Sequence, residues 1–123
     1  MRCWIFDKIE TAQGFPLLEL LKQVIVVLDA TDASFFVTRA RGYGDQVCEL
    51  DEATDRSNEV AVSTEDLERL SRGTDEWFYD VEVVGRAQER TVRFGLHDST
   101  ALFVEAEAEL VKRITSAFKD VRC

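Results

Sequence analysis

Two stretches of the chain show apolar side chains at helical spacing. From Pro16 to Asp29 the apolar positions recur every three or four residues, and a proline suits the first turn of a helix. The run Val24–Leu28 is rich in β-branched residues that favour a strand, but the periodicity of the whole segment predicts a helix; a helix followed by a strand stays open as the alternative. Residues 105–119 predict a closing helix, whose buried stripe comprises Ala106, Leu110, Ile114, Phe118 and Val121.

The segment "STEDLERLSRG" predicts a shorter helix with signals at both ends. Ser63 can cap its N-terminus, with Asp66 three residues later, and Gly73 can close its C-terminus. Leu67 and Leu70 fall on one face, so we expect that face to pack against the rest of the domain.

Alternating patterns predict the strands, and the clearest is "EWFYDVEVV". Strict alternation places Trp77, Tyr79, Val81 and Val83 on one apolar face and turns Phe78 outward between acidic neighbours. There it is either an exposed anchor for a partner or covered by a second layer, the N-terminal strand or a helix. "TVRFGL" repeats the pattern, the connector "GRAQER" predicts a hairpin between the two strands, and "ALFV" is expected to pair back again. Shorter strands are predicted at "RCWIF", "ASFFVTRA", "QVCEL" and "EVAV".

Together these elements predict a single α+β domain over residues 1–123. We expect a mostly antiparallel sheet of about five to seven strands, with about three helices packed on one face. The N-terminal stretch "MRCWIFDKIE" reaches charged residues too early for a signal-peptide core, which favours a cytoplasmic location. The longest apolar run, Val24–Leu28, is too short to span a membrane.

Negative charge is concentrated in one part of the sequence. The chain has 15 basic and 24 acidic residues, a net charge of −9. The segment from Asp45 to Glu82 contains thirteen acidic residues and only three arginines, so its net charge is −10 and the rest of the chain is close to neutral. Such a surface repels nucleic acid and anionic lipid, and we therefore expect neither as a partner. A basic protein partner fits the charge better.

The candidate motifs for catalysis or metal binding are weak. "GLHDST" contains the only histidine, His97, next to an aspartate and a serine. Side chains of consecutive residues seldom converge as a catalytic triad requires. We therefore interpret this segment as a turn. The cysteines Cys3, Cys48 and Cys123 are widely spaced and are predicted to be reduced thiols. No catalytic residue, metal site or cofactor is predicted.

These features favour a small acidic binding protein, most of all an immunity or inhibitor protein that neutralises a basic toxin, such as a nuclease. It could act as a monomer or as a homodimer. One alternative is a dimeric secretion chaperone for an effector protein, because many such chaperones share the order predicted for residues 16–119: a helix, three strands, a helix, two or three strands and a helix. The other is a small enzyme of unknown substrate, which would need a concave pocket lined by ionisable residues. The predicted partner-binding residues are Asp51, Glu52, Asp55, Glu76, Phe78, Asp80 and Glu82.

Overall fold

The computed structural model describes residues 1–29 and 32–123, which form one antiparallel sheet with four helices on one of its faces. The strands are β1 (Arg2–Ile5), β2 (Ser34–Tyr43), β3 (Val60–Val62), β4 (Trp77–Ala87), β5 (Arg90–His97), β6 (Ala101–Glu105) and β7 (Val121–Arg122). The helices are α1 (Leu17–Leu28), α2 (Asp45–Arg56), α3 (Thr64–Ser71) and α4 (Ala108–Thr115). The predicted α+β class is confirmed, with one helix more than expected.

The strand order in the sheet is β3-β2-β4-β5-β6-β1-β7. The predicted hairpin of β4 and β5 is confirmed, and β6 pairs back on β5 as expected. One face of the sheet packs under the helices, whereas the other has no helix over it among the described residues. Across these residues no helix combines the length and the apolar character that crossing a membrane would need.

Helix α1 supplies much of the core. It is a single continuous helix, and its left-handed C-cap residue Asp29 has a φ of 54°. The buried positions Leu17, Leu20, Leu21, Val24, Val27 and Leu28 follow the predicted helical spacing. Packing against the sheet therefore outweighs the strand preference of the β-branched run.

A β-bulge in β4 overturns the strict alternation expected for that strand. Arg41 of β2 pairs with Asp80, but the next residue, Gly42, pairs with Phe78, so Tyr79 is an extra residue in the ladder. The bulge moves Phe78 to the same face as Val81. Phe78 is 1% exposed and Tyr79 is 46% exposed, so the prediction that Phe78 faces solvent and Tyr79 faces the core is wrong.

The segment "QVCEL", predicted as a strand, lies in helix α2. Val47 is buried and Leu50, three residues later, is half-buried, which is a helical spacing. The helix follows Gly44, whose φ of 121° belongs to a backbone region that other residues rarely adopt. The second predicted strand of this region, "EVAV", is confirmed as β3.

The C-terminal segment also differs from the prediction. Helix α4 is shorter than 105–119 because β6 continues to Glu105, and Val121 belongs to β7 instead of the helical stripe. The Asp7 carboxylate accepts hydrogen bonds from the backbone N–H groups of Lys119 and Asp120. These bonds hold the segment before β7 beside the residues that follow β1. Here Cys3 and Cys123 form a disulfide, which corrects the prediction that all three cysteines are free; Cys48 is a free, exposed thiol.

Candidate functional site

The seven residues predicted to bind a partner do not form one surface. Phe78 belongs to the hydrophobic core, and Asp80 and Glu82 lie on the face of the sheet opposite the helices. Asp51, Glu52 and Asp55 lie on α2, which packs on the helical side through Val47 and Leu50. Glu76 precedes β4 and contacts the start of α2.

Glu76 acts as a helix cap contributed from a distant part of the chain. Its Oε1 accepts hydrogen bonds from the backbone N–H groups of Gln46, at 2.8 Å, and Val47, at 3.1 Å. These donors belong to the first turn of α2 and have no partner within the helix, and the helix dipole favours a carboxylate there. Glu76 therefore stabilises α2, and its carboxylate is already engaged.

Asp80 joins three parts of the sheet. Its carboxylate accepts from Arg39, with 2.5 Å between Nε and Oδ2, and from the backbone N–H of Asp98 at 3.1 Å. The bulged carbonyl of Tyr79 accepts from the N–H of Ser99 at 2.7 Å. Asp80 is thus a structural residue that fixes β2 and the β5–β6 turn against the bulge.

The "GLHDST" motif is the turn that the sequence predicts. Asp98 and Ser99 both have positive φ, 45° and 54°, as the central residues of a type I′ hairpin turn require. The N–H of Thr100 donates to the carbonyl of His97 at 2.8 Å and closes it. The exposed His97 ring lies edge-on to Trp4, with 5.6 Å between ring centroids.

Arginines also pair with Glu82 on the open sheet face and with Glu59, which precedes β3. Glu82 lies near Arg39 and Arg93, with N···O distances of 3.7 and 3.8 Å, and accepts from the Thr38 hydroxyl at 3.0 Å. Two hydrogen bonds from Arg86 hold the pKa of the Glu59 carboxyl below its ordinary value, and Glu59 in turn raises the pKa of Arg86. Asp80, Glu82 and Glu59 are therefore neutralised within the protein.

Replacing Asp80 by alanine should lower the free energy of unfolding by about 2–3 kcal/mol, because the change removes an acceptor from Arg39 and from the turn N–H together. The matched change Asp55→Ala on the exposed face of α2 should alter it by less than about 0.5 kcal/mol. Urea unfolding followed by circular dichroism measures both. Equal midpoints for the two variants would contradict a structural role for Asp80.

The acids without arginine partners occupy one region. Of the thirteen acids between Asp45 and Glu82, seven form no ion pair within residues 1–29 and 32–123. They are Asp45, Glu49, Asp51 and Asp55 on α2, Glu65 and Glu68 on α3, and Asp75 in the loop after α3. The uncompensated negative charge therefore lies on these two helices.

A groove of about 290 Å³ opens between α2, β3 and α3 in this acidic region. Its apolar lining comes from Leu50, Ala53, Val60, Val62 and Leu70. Glu49 and Asp66 also line it, and Arg69 lies 3.6 Å from the Asp66 carboxylate. We call this feature the α2–α3 groove. Apolar surface beside the unpaired carboxylate of Glu49 suits a partner that presents a basic residue next to an apolar one.

The acidic stretch is apparent from the sequence, whereas the α2–α3 groove was not predicted from it. The groove exists only because residues 45–56 form helix α2, which contacts β3, and α3 follows β3 directly in the chain. The helical spacing of Val47, Leu50 and Ala53 was the one signal in the sequence. Among the described residues, no three histidine, cysteine, aspartate or glutamate side chains gather as a metal site would require.

Comparisons of the chain with protein families, with curated proteins and with solved structures found no match.

Proposed function

We propose that this protein binds a basic protein partner through the α2–α3 groove and the acids around it, and that it acts as an immunity or inhibitor protein against a basic toxin. The observation that carries the proposal is the position of the unpaired carboxylates. They lie on α2, on α3 and in the loop after α3, and one of them, Glu49, lines an apolar groove, whereas Asp80 and Glu82 of β4 are paired with arginines.

The distribution of charge suits rapid capture of a basic protein. A surface of one sign raises the rate of encounter with an oppositely charged partner and so suits an inhibitor that must act quickly. A toxin that binds nucleic acid presents cations to phosphates. The same cations would meet Glu49 at the groove and, elsewhere on the exposed surface of α2, Asp55 and Glu52, which pairs with Arg56 one turn away. The predicted contribution of Asp51, Glu52 and Asp55 is retained in this proposal, and Glu49 joins them.

The alternatives have less support. The chaperone hypothesis depended on a helix, three strands and a second helix in that order, and α2 now interrupts that order. The enzyme hypothesis predicted a pocket lined by ionisable residues, for which His97 and Asp98 were candidates; His97 is exposed and Asp98 lies in a tight turn.

Charge reversal on α2 tests the proposal. The variant Glu49→Lys/Glu52→Lys/Asp55→Lys should lower the rate of association with the basic partner at least tenfold at low salt, because it replaces attraction by repulsion. The partner is first captured from the native host with the tagged protein at low salt and is identified by mass spectrometry. Association is then measured by stopped-flow fluorescence over a range of salt concentrations.

The control is Glu89→Lys/Glu107→Lys/Glu109→Lys, which makes the same change in net charge at exposed positions in the β4–β5 turn and near the start of α4. This variant should keep most of the association rate. Equal losses in both variants would show that only net charge matters and would reject the α2–α3 groove as the binding site. Failure of the protein to protect cells that express the captured partner would reject the immunity function.

A further inference from the structure

Strand β3 lies at one edge of the sheet, and its outer side is uncovered. It ends the strand order β3-β2-β4-β5-β6-β1-β7, and β2 is its one partner among the described residues. The backbone N–H and C=O groups of Val60–Val62 that point away from β2 form no hydrogen bond with any described residue. Ala61 is exposed and both valines are half-buried, so an extended chain can approach this edge.

The side chains of β3 alternate between two depressions, one on each face of the sheet. Val60 and Val62 lie opposite core residues of β2, so their side chains point to the helical face, where they line the α2–α3 groove. Ala61 lies opposite Phe36 and points to the open sheet face, where both residues line a second depression of about 360 Å³. An edge with a depression on each face can hold the alternating side chains of an added strand.

The two depressions differ in charge. Glu49 and Asp66 line the α2–α3 groove, and Glu49 forms no ion pair in the part of the chain that the structure describes. The described residues that line the depression on the open sheet face include no charged one. A strand added to β3 would therefore turn basic side chains toward the helices and small apolar side chains toward Ala61. The apolar stem of a lysine suits Val62 and Leu50, while its ammonium group is attracted by the carboxylates.

We propose that an extended segment of the basic partner adds to β3 as an eighth strand of the sheet. In this segment basic residues alternate with small apolar ones: the basic side chains enter the α2–α3 groove, and the apolar ones enter the depression beside Ala61 and Phe36. Hydrogen bonds between the main chains supply affinity, and the two depressions select the side chains. This inference rests on the proposed function, because the segment belongs to the partner that the α2–α3 groove binds.

A second copy of the chain is a poorer occupant of this edge. Pairing of β3 with β3 of another copy would bring two α2 helices close together, because α2 contacts β3. Each α2 carries Asp45, Glu49, Asp51 and Asp55, none of which forms an ion pair within residues 1–29 and 32–123. Like charges that meet at an interface disfavour association, so the charge here favours a basic segment.

A twelve-residue peptide of alternating lysine and valine residues is the probe for this site. Its titration into the isotope-labelled 123-residue protein should give saturable shifts of the backbone amide NMR signals in α2, β3 and α3. Nuclear Overhauser effects should connect backbone protons of the peptide with those of Val60–Val62, because neighbouring strands lie only about 4.8 Å apart. The same peptide with glutamate in place of lysine should bind at least tenfold more weakly.

Two variants test the two depressions separately. Glu49→Lys places a cation in the α2–α3 groove and should weaken binding of the lysine–valine peptide at least tenfold. Glu109→Lys makes the same charge change at an exposed position of α4 and should keep the affinity. Ala61→Lys places a cation and a long side chain at the exposed residue of β3 and should also weaken binding at least tenfold. Urea midpoints close to that of the wild type would show that each variant folds.

The outcomes separate this inference from the proposed function. Saturable shifts in α2 and α3 without contacts from the peptide to Val60–Val62 would overturn strand addition and leave the α2–α3 groove as the site for a basic partner. Equal affinities of the lysine and glutamate peptides, equal losses in Glu49→Lys and Glu109→Lys, or the absence of saturable binding would also overturn it. The proposed function fails separately, if charge reversal on α2 leaves the association rate of the captured partner unchanged.

Discussion

Replacing Phe78 by alanine should lower the free energy of unfolding by about 3–5 kcal/mol, whereas the same change at Tyr79 should lower it by less than about 1 kcal/mol. The two residues are adjacent in the chain, but the bulge places Phe78 in the core and Tyr79 at the surface. Truncating a buried phenylalanine removes its transfer free energy and leaves a cavity, and neither cost applies to an exposed tyrosine.

Urea unfolding of the two variants measures this difference. Because a domain of this size is stable by only about 5–15 kcal/mol, Phe78→Leu serves as a second variant that keeps most of the buried volume and should lose less. Equal losses of unfolding free energy for the alanine variants of Phe78 and Tyr79 would contradict the bulge. A larger loss at 79 would restore the strict alternation that the sequence predicts.

Reduction of the Cys3–Cys123 disulfide should lower the free energy of unfolding by about 2–5 kcal/mol. The bond closes a loop with a sequence separation of 120, so it restricts nearly the whole unfolded chain. It also joins β1 to the residue after β7, a strand of only two residues that adds little pairing of its own. Disulfides persist mainly in oxidising compartments, so the location of the protein decides whether this bond forms in the cell.

The measurement compares unfolding with and without reductant in a Cys48→Ser background, which prevents exchange with the free thiol. The variant Cys3→Ser/Cys123→Ser should match the reduced protein. Identical unfolding midpoints for the oxidised and reduced forms would show that the bond adds nothing to stability.

The sequence correctly predicted those helices and strands whose apolar periodicity or capping residue lies within the element itself. Helix α1 has a repeated apolar face, and α3 has its own cap, in which the Ser63 hydroxyl accepts from the N–H of Asp66 at 3.1 Å. The β4–β5 hairpin has alternating residues on both strands as far as the bulge. For these elements, periodicity and capping agree with the final packing, so a single sequence was enough.

The errors arise where a distant residue decides the local structure. The carboxylate that caps α2 comes from Glu76, 30 residues after Gln46, so the region around "QVCEL" did not show its helical start. The bulge in β4 coincides with contacts from Arg39 of β2 and from the turn after β5. The disulfide joins residues near opposite ends of the chain.

The candidate site was predicted in part for the same reason. A sequence shows how many acids a segment contains, but it does not show which of them have arginines beside them in the fold. Asp80 and Glu82 lie opposite arginines of neighbouring strands, whereas Asp51 and Asp55 do not. The acidic surface that we propose for partner binding is therefore on α2 and α3 and not, as the sequence predicted, on β4.

Hydrogen–deuterium exchange of the protein, alone and with the basic partner captured at low salt, tests whether the α2–α3 groove is the binding site. We expect the partner to slow exchange in α2, β3 and α3, the elements that form the α2–α3 groove, and to leave β1, β5 and β6 unchanged. Protection confined to the open face of the sheet, with α2 and α3 unaffected, would contradict it.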